Sequence, residues 1–196
     1  MIRSALKALT ILSVILGSAG GALARATADR VSLERAVEAF ETAMRKGDYD
    51  TVVQTIPPRV MARIAEDFGV DVPGARKATI DLMRKTFEEV ELLDFGMETD
   101  GVGIVAEEGA PPHAILPTFT LLYADGLGKV RGETPTLALW TDDRWYLLRV
   151  DGPGPAQMLG ELYPGLEDVA FPEATMDIVE EDGASADETE EEEDAK

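Results

Sequence analysis

Hydrophobic residues recur at intervals of three and four along the first part of the chain, which is the spacing of one face of an α-helix. The members of this stripe are Leu33, Ala36, Val37, Phe40 and Met44. They predict a first helix over residues 31–46, with Ser32 as a suitable N-cap. Gly47 follows at the position where a residue in the left-handed conformation closes many helices.

Three more helical patterns precede residue 90. Asp48 or Asp50 can cap a short helix that the Pro57-Pro58 pair ends. Pro58 suits the first turn of the next helix, because its missing N–H would be unpaired there anyway. A longer helix is predicted over residues 75–89.

Beyond Val90 the hydrophobic period shortens to two, which is typical of β-strands. The predicted strands cover residues 91–98, 102–107, 115–124, 136–141 and 144–151. A turn is predicted after the strand over 115–124, and the chain up to Glu133 extends that turn. Asp142-Asp143 predicts a tight hairpin turn between the last two strands, and a short helix is expected over 156–162. Helices first and strands after, with hairpin-length loops, predict the α+β class: N-terminal helices packed on an antiparallel sheet.

The N-terminus has the pattern of a secretory signal peptide. Arg3 and Lys7 supply a positive start, a short apolar run covers residues 8–17, and Ala22-Leu23-Ala24 offers small residues around a cleavage point. We therefore expect residues 1–24 to be removed and the mature protein to be periplasmic or secreted. The alternative is an uncleaved membrane anchor, for which the apolar run is short.

The C-terminus is an acidic segment that contains nothing to bury. Residues 177–196 hold eleven acidic residues and one lysine. Such blocks of like charge favour disorder, so we expect one α+β domain over residues 29–177 and a disordered tail over 178–196. The tail either captures a basic partner or serves only as a solubilising end.

Composition narrows the classes of partner and of chemistry. The chain carries 38 acidic against 18 basic residues, a formal net charge of −20. A surface this negative repels nucleic acid and anionic lipid. Cysteine is absent and histidine occurs once, which leaves zinc without its usual ligands. No phosphate-binding or calcium-binding loop is recognisable, so no cofactor and no metal is predicted.

The single histidine, His113, is the one candidate for general acid–base catalysis. It follows Pro111-Pro112 in a predicted loop. As a general acid or base, His113 would need an orienting carboxylate and a pocket. Glu107 and Glu108 are near it in sequence, but the sequence does not place either of them beside its ring. Packing of the imidazole is the favoured interpretation, and we assign no catalytic residue.

Three features of the sequence resemble the NTF2-like superfamily of cone-shaped α+β domains. The first is the segment AFETAMRKGDYD at the end of the first helix, the second is the helices that follow it, and the third is LALWTDDRWYLLRV in the final hairpin. The resemblance covers residues 31–151 and implies a curved sheet whose inner face forms a ligand pocket. The superfamily includes isomerases, dehydratases, polyketide cyclases, ligand carriers and non-catalytic exported domains. The fold alone therefore does not determine the function.

Aromatic side chains on the predicted sheet are the candidate ligand-binding residues: Phe119, Tyr123, Trp140, Trp145 and Tyr146. The alternative is that they only fill the core. The sequence as a whole predicts an exported, non-catalytic domain that binds a small apolar ligand or an envelope protein and is not membrane-embedded after cleavage. Two alternatives stay open: an isomerase or hydrolase with a pocket carboxylate, and a structural or stress-related envelope protein whose tail recruits a basic partner.

Overall fold

The computed structural model describes residues 19–179. The predicted signal segment up to residue 18 and the tail from residue 180 lie outside the described residues. Four helices come first along the chain: α1 (Ala19–Lys46), α2 (Tyr49–Gln54), α3 (Pro58–Asp67) and α4 (Val72–Glu89). No described helix combines the length and the apolar character that crossing a membrane requires.

A five-stranded antiparallel sheet follows the helices, which confirms the predicted α+β class. The elements are β1 (Val90–Met97), β2 (His113–Ala124), β3 (Gly128–Thr141), β4 (Arg144–Arg149), α5 (Pro153–Leu162) and β5 (Thr175–Val179). The strand order is β1-β2-β3-β4, and β5 pairs with β3.

Strand β3 is long enough to hold two partners along one edge. Its residues 129–133 pair with β5 and its residues 136–141 pair with β4. Pro135 lies in the gap between these partners, where the carbonyl of Pro135 accepts a hydrogen bond of 2.9 Å from the Val150 amide. A proline lacks an N–H and is tolerated at such a break in the ladder. The predicted strand over 136–141 is therefore the second half of a continuous strand.

Several local predictions are confirmed. Gly47 has a φ of +67° after α1, and Asp142 and Asp143 have φ values of 51° and 57° in the β3–β4 turn. These values are those of a type I′ hairpin turn, which matches the right-handed twist of the strands. The Asp48 side chain caps α2 by accepting a bond of 3.2 Å from the Thr51 amide.

The prediction of Ser32 as an N-cap is wrong. Helix α1 begins at Ala19, because the alanine-rich segment before Ser32 has a high helix propensity and continues the helix. Ser32 lies inside α1, and its Oγ accepts a hydrogen bond of 3.0 Å from Trp145 Nε1.

The connection between β1 and β2 also differs from its prediction. Residues 102–107 form no strand, and only the isolated bridge Val105–His113 remains. The Arg30 guanidinium donates to the carbonyls of Thr99 and Val102, at 2.8 Å each. These carbonyls therefore bond to a side chain instead of a neighbouring strand. His113 is the first residue of β2 and not a loop residue.

Strand β5 was not predicted, because its segment follows an irregular stretch that contains Pro164 and Pro172. Its hydrophobic alternation spans only five residues.

The two faces of the sheet are covered by different elements. Alternate residues of a strand face opposite sides, so Ala138 packs under α1 with Trp145, Leu116 and Leu147. Leu137 and Leu139 face the other side. They pack there in a second cluster with Val60 of α3, Val150 just after β4, Leu159 of α5, and Tyr163 and Leu166 after α5. This second layer covers β4 and the second half of β3. On the same face, β1, β2 and the first half of β3 carry a groove.

Candidate functional site

The candidate site is a groove of about 730 Å³ on the outer face of the sheet, opposite α1. Its floor is mostly apolar and consists of Ile115, Pro117, Phe119 and Pro135. One end reaches α1 at Glu41 and Arg45, and the other reaches Pro172 and Glu173 before β5. Pro117 and Pro135 stand opposite each other on β2 and β3, which gives the floor a rigid centre.

Phe119 occupies the middle of the floor and is held from two sides. It pairs with Gly96 of β1, and a Cβ atom added to Gly96 would lie only 2.5 Å from Phe119 Cε1. The Arg131 guanidinium carbon lies 4.7 Å from the centre of the ring, a cation–π contact. Glu133 accepts a bond of 3.1 Å from Arg131 Nε and orients that guanidinium. The position of the ring thus requires glycine beneath it.

Acidic groups outnumber basic ones around this floor. The lining carboxylates are Glu41, Asp94, Glu98, Glu133 and Glu173, and the lining cations are Arg45 and Arg131. Each cation is already paired with a carboxylate, Arg45 with Glu41 at 3.3 Å and Arg131 with Glu133. The surplus carboxylates give the groove a negative rim, which attracts cationic side chains.

The wall beside β1 is fixed by α1. Glu41 Oε1 accepts a bond of 2.8 Å from the Met97 amide, and Arg45 donates to the Phe95 carbonyl at 2.6 Å. Because both bonds reach the outer edge of β1, they close that edge and hold α1 against the sheet.

The five aromatic residues predicted to bind a ligand lie in different places. Phe119 lines the groove, and Tyr123 is exposed near the end of β2. Trp145 is buried under α1, with Trp140 packed edge-on at 5.3 Å between ring centroids. Tyr146 is buried and faces the opposite side from Trp145, with the Arg144 guanidinium carbon 4.6 Å from its ring centre. The structure therefore does not bring these residues together in one pocket.

Sequence reasoning missed Gly96 and Arg131, which position Phe119. A glycine inside an otherwise apolar strand was the available signal, since it often marks a close approach of another group.

His113 is buried, and its Nδ1 lies 3.0 Å from the Pro111 carbonyl oxygen. Within the described residues, no carboxylate forms a hydrogen bond or ion pair with its ring. The contact holds the imidazole in place against the backbone. No described group of three histidine or acidic residues is arranged to hold a metal ion.

Two tyrosines and one aspartate outside the groove have shifted pKa values. Burial raises the pKa of Tyr163, whose hydroxyl has no hydrogen-bond partner among the described residues. Burial also raises the pKa of Tyr49. Hydrogen bonds from the hydroxyl and the amide of Thr51 lower the pKa of Asp48. These shifts follow from core packing and helix capping.

Comparison with known proteins gives little guidance. No protein-family model matches the chain, and no curated protein matches it. The chain is similar to a solution structure of a SEC-C motif containing protein from Rhodopseudomonas palustris, with 21% sequence identity, 66% of this chain and 84% of that chain covered, and a TM-score of 0.40. A likeness at this level carries no argument about fold or function.

Proposed function

We propose that this chain is an exported, NTF2-like, non-catalytic domain that binds a basic surface of another envelope protein in its outer-face groove. The observation that carries the proposal is the combination of an apolar floor around Phe119 with a surplus of carboxylates on the rim. Aromatic and arginine side chains at the centre of a patch are typical anchors of protein interfaces. The net charge of −20 steers a cationic partner toward such a surface.

A protein partner is favoured over a small apolar ligand because of how the inner sheet face is used. That face, which would line a ligand pocket, is packed with side chains of α1 and the sheet, including Leu33, Leu116 and Trp145. The groove is on the other face, is open to solvent and has charged walls. Such a surface fits a protein segment better than an enclosed apolar molecule.

The same features make catalysis a less favoured function for the groove than protein binding. A pocket carboxylate acting as a general acid or base at neutral pH is usually enclosed, since burial raises its pKa. Asp94, Glu98 and Glu133 are exposed on the rim of the groove.

Export is compatible with the way α1 is anchored. Among residues 30–46 of α1, the side chains of Arg30, Ser32, Glu41 and Arg45 form hydrogen bonds to the rest of the domain. All four follow the proposed cleavage point after Ala24. Removing residues 1–24 would therefore leave these anchors intact.

Site-specific photo-crosslinking in the source cells tests the proposal. A photoreactive p-benzoylphenylalanine replaces Glu173 on the rim, and the matched control replaces Ala78, which is exposed on α4. We expect position 173, and not position 78, to link to one envelope protein, and Phe119→Ala to abolish the adduct. Equal labelling at both positions, or an adduct that survives Phe119→Ala, would refute the proposal.

A further inference from the structure

The sheet has three outer edges, and two of them are closed by specific bonds. Glu41 and Arg45 close the edge of β1. Thr55 closes the edge of β4: its carbonyl accepts from the Leu147 amide at 2.9 Å, and its hydroxyl donates to the Leu147 carbonyl at 3.2 Å. Proteins commonly protect edge strands in this way, because unpaired backbone groups recruit other strands.

The third edge, that of β5, has no partner strand within the described part of the chain. The Pro135 carbonyl bonds to Val150 of the β4 side, so the odd-numbered residues of β3 direct their backbone groups toward β4 and β5. Their partners in β5 are Thr175, Asp177 and Val179. The backbone N–H and C=O groups of Met176 and Ile178 therefore point away from β3. No group of residues 30–179 forms a hydrogen bond with them.

The side chains of β5 suit an added strand as well as its backbone does. All five residues are exposed, and Met176 and Ile178 keep 71% and 61% of their surface accessible. They face the same side as the buried Val130, with which Ile178 pairs. A neighbouring strand would extend this apolar side and cover both.

The negative charge of this chain indicates which kind of strand pairs with the β5 edge. Residues 180–196, directly after β5, contain ten acidic residues and one lysine. A second copy would bring two such segments and two strongly negative domains together, which is unfavourable. A basic segment gains from the same charges.

We infer that the open edge of β5 takes up an extended, basic segment of a partner protein as an added antiparallel or parallel strand. Backbone hydrogen bonds to Met176 and Ile178 hold the segment, as in other cases of strand addition. The acidic residues after Val179 attract it. The groove ends at Glu173, just before β5, and neither Met176 nor Ile178 lines it. The inference therefore goes beyond the proposed function and does not depend on it.

Titration with defined peptides tests the inference. The probe is a fluorescein-labelled peptide of alternating lysine and valine, added to the protein purified from the cell envelope. The matched control is the same peptide with all of its backbone amides N-methylated, which keeps the charge but removes the donors of both edges. We expect N-methylation to weaken binding on the order of tenfold.

Hydrogen exchange of the protein amides shows where the peptide sits. Slowed exchange at Met176 and Ile178 on binding is the expected result, since those amides would become hydrogen-bonded. Changing Glu190, Glu191, Glu192 and Glu193 together to Gln should weaken binding at low salt while leaving that protection in the bound state. Phe119→Ala should leave both the affinity for the peptide and the protection of Met176 and Ile178 unchanged, which distinguishes this site from the groove.

Three results would overturn the inference. One is equal affinity for both peptides with no protection at β5, which means capture by charge alone. Another is the absence of binding at about 0.05 M salt, where exposed charges act over the longest range. The third is a dimer in which Met176 and Ile178 are already protected, which means that a second copy occupies the edge.

Discussion

Gly96 is the residue on which the shape of the groove depends most directly, and alanine is the smallest change that tests it. The added Cβ would lie 2.5 Å from Cε1 and 2.9 Å from Cζ of Phe119. Ordinary van der Waals contact begins near 3.4 Å, so the ring has to retreat by about 1 Å, as the close packing of side chains requires. Phe119 is partly exposed and lines the groove, where its ring contacts Arg131, so the ring yields into the groove.

The expected loss of stability follows from that displacement. Overpacking typically costs about 1–3 kcal/mol, and the lower half of this range applies because the ring can move. Separating Phe119 from Arg131 contributes about 0.5–1 kcal/mol of it. In a Phe119→Ala background the obstacle is gone, so Gly96→Ala should cost close to zero or stabilise slightly, since glycine weakens a strand by about 0.5–1 kcal/mol.

Urea unfolding of the four proteins of this double-mutant cycle measures the effect. Trp145 and Trp140 report on it from the opposite face of the sheet, so their fluorescence follows unfolding without a direct contribution from the ring. We expect a coupling free energy of about 1–2 kcal/mol between the two sites. Gly132→Ala is the control, because a Cβ there meets its nearest neighbour at 3.7 Å. An equal cost of Gly96→Ala in both backgrounds would refute this account of the groove floor.

Two further sites give predictions for the core. The Thr118 hydroxyl donates a hydrogen bond of 2.8 Å to the Thr136 hydroxyl, and both residues are buried. Thr136→Val should therefore lower the free energy of unfolding by about 1 kcal/mol, and adding Thr118→Val should recover part of that loss. Urea unfolding of the single and the double variant checks this. Tyr163→Phe removes a buried hydroxyl without a described partner, and thermal unfolding should show unchanged stability or a gain of up to about 1 kcal/mol. Because burial raises the pKa of Tyr163, the unfolded state loses this proton first as pH rises past about 10, and stability falls there. Tyr163→Phe should therefore lose less stability than the wild type between neutral and alkaline pH, and an equal loss would contradict this.

Elements set by local chemistry were predictable. The Asp142-Asp143 turn, the left-handed Gly47 and the capping of α2 by Asp48 each depend on a few neighbouring residues. The periodicity of apolar residues was also enough to predict that helices precede strands, although it wrongly predicted a strand over 102–107 and missed β5.

The features that define the groove depend on contacts between distant segments. Gly96 reaches Phe119 only through the β1–β2 register, and that register contains an irregularity between Leu92 and Asp94 that hydrophobic alternation does not reveal. Period two does place Trp145 and Tyr146 on opposite faces. It does not show that α5 covers part of one face and leaves Phe119 on that face uncovered by α5. That arrangement depends on where the chain after β4 packs against the sheet.

Native mass spectrometry of the protein recovered from its own cell envelope at low ionic strength tests the central claim most directly. A groove with a negative rim around an apolar floor predicts a complex with another protein that dissociates as salt is raised, because screening weakens contacts between exposed charges. The mature chain in that complex should begin at Arg25. A small-molecule adduct that is lost only on denaturation, or a free monomer at every ionic strength, would contradict the account.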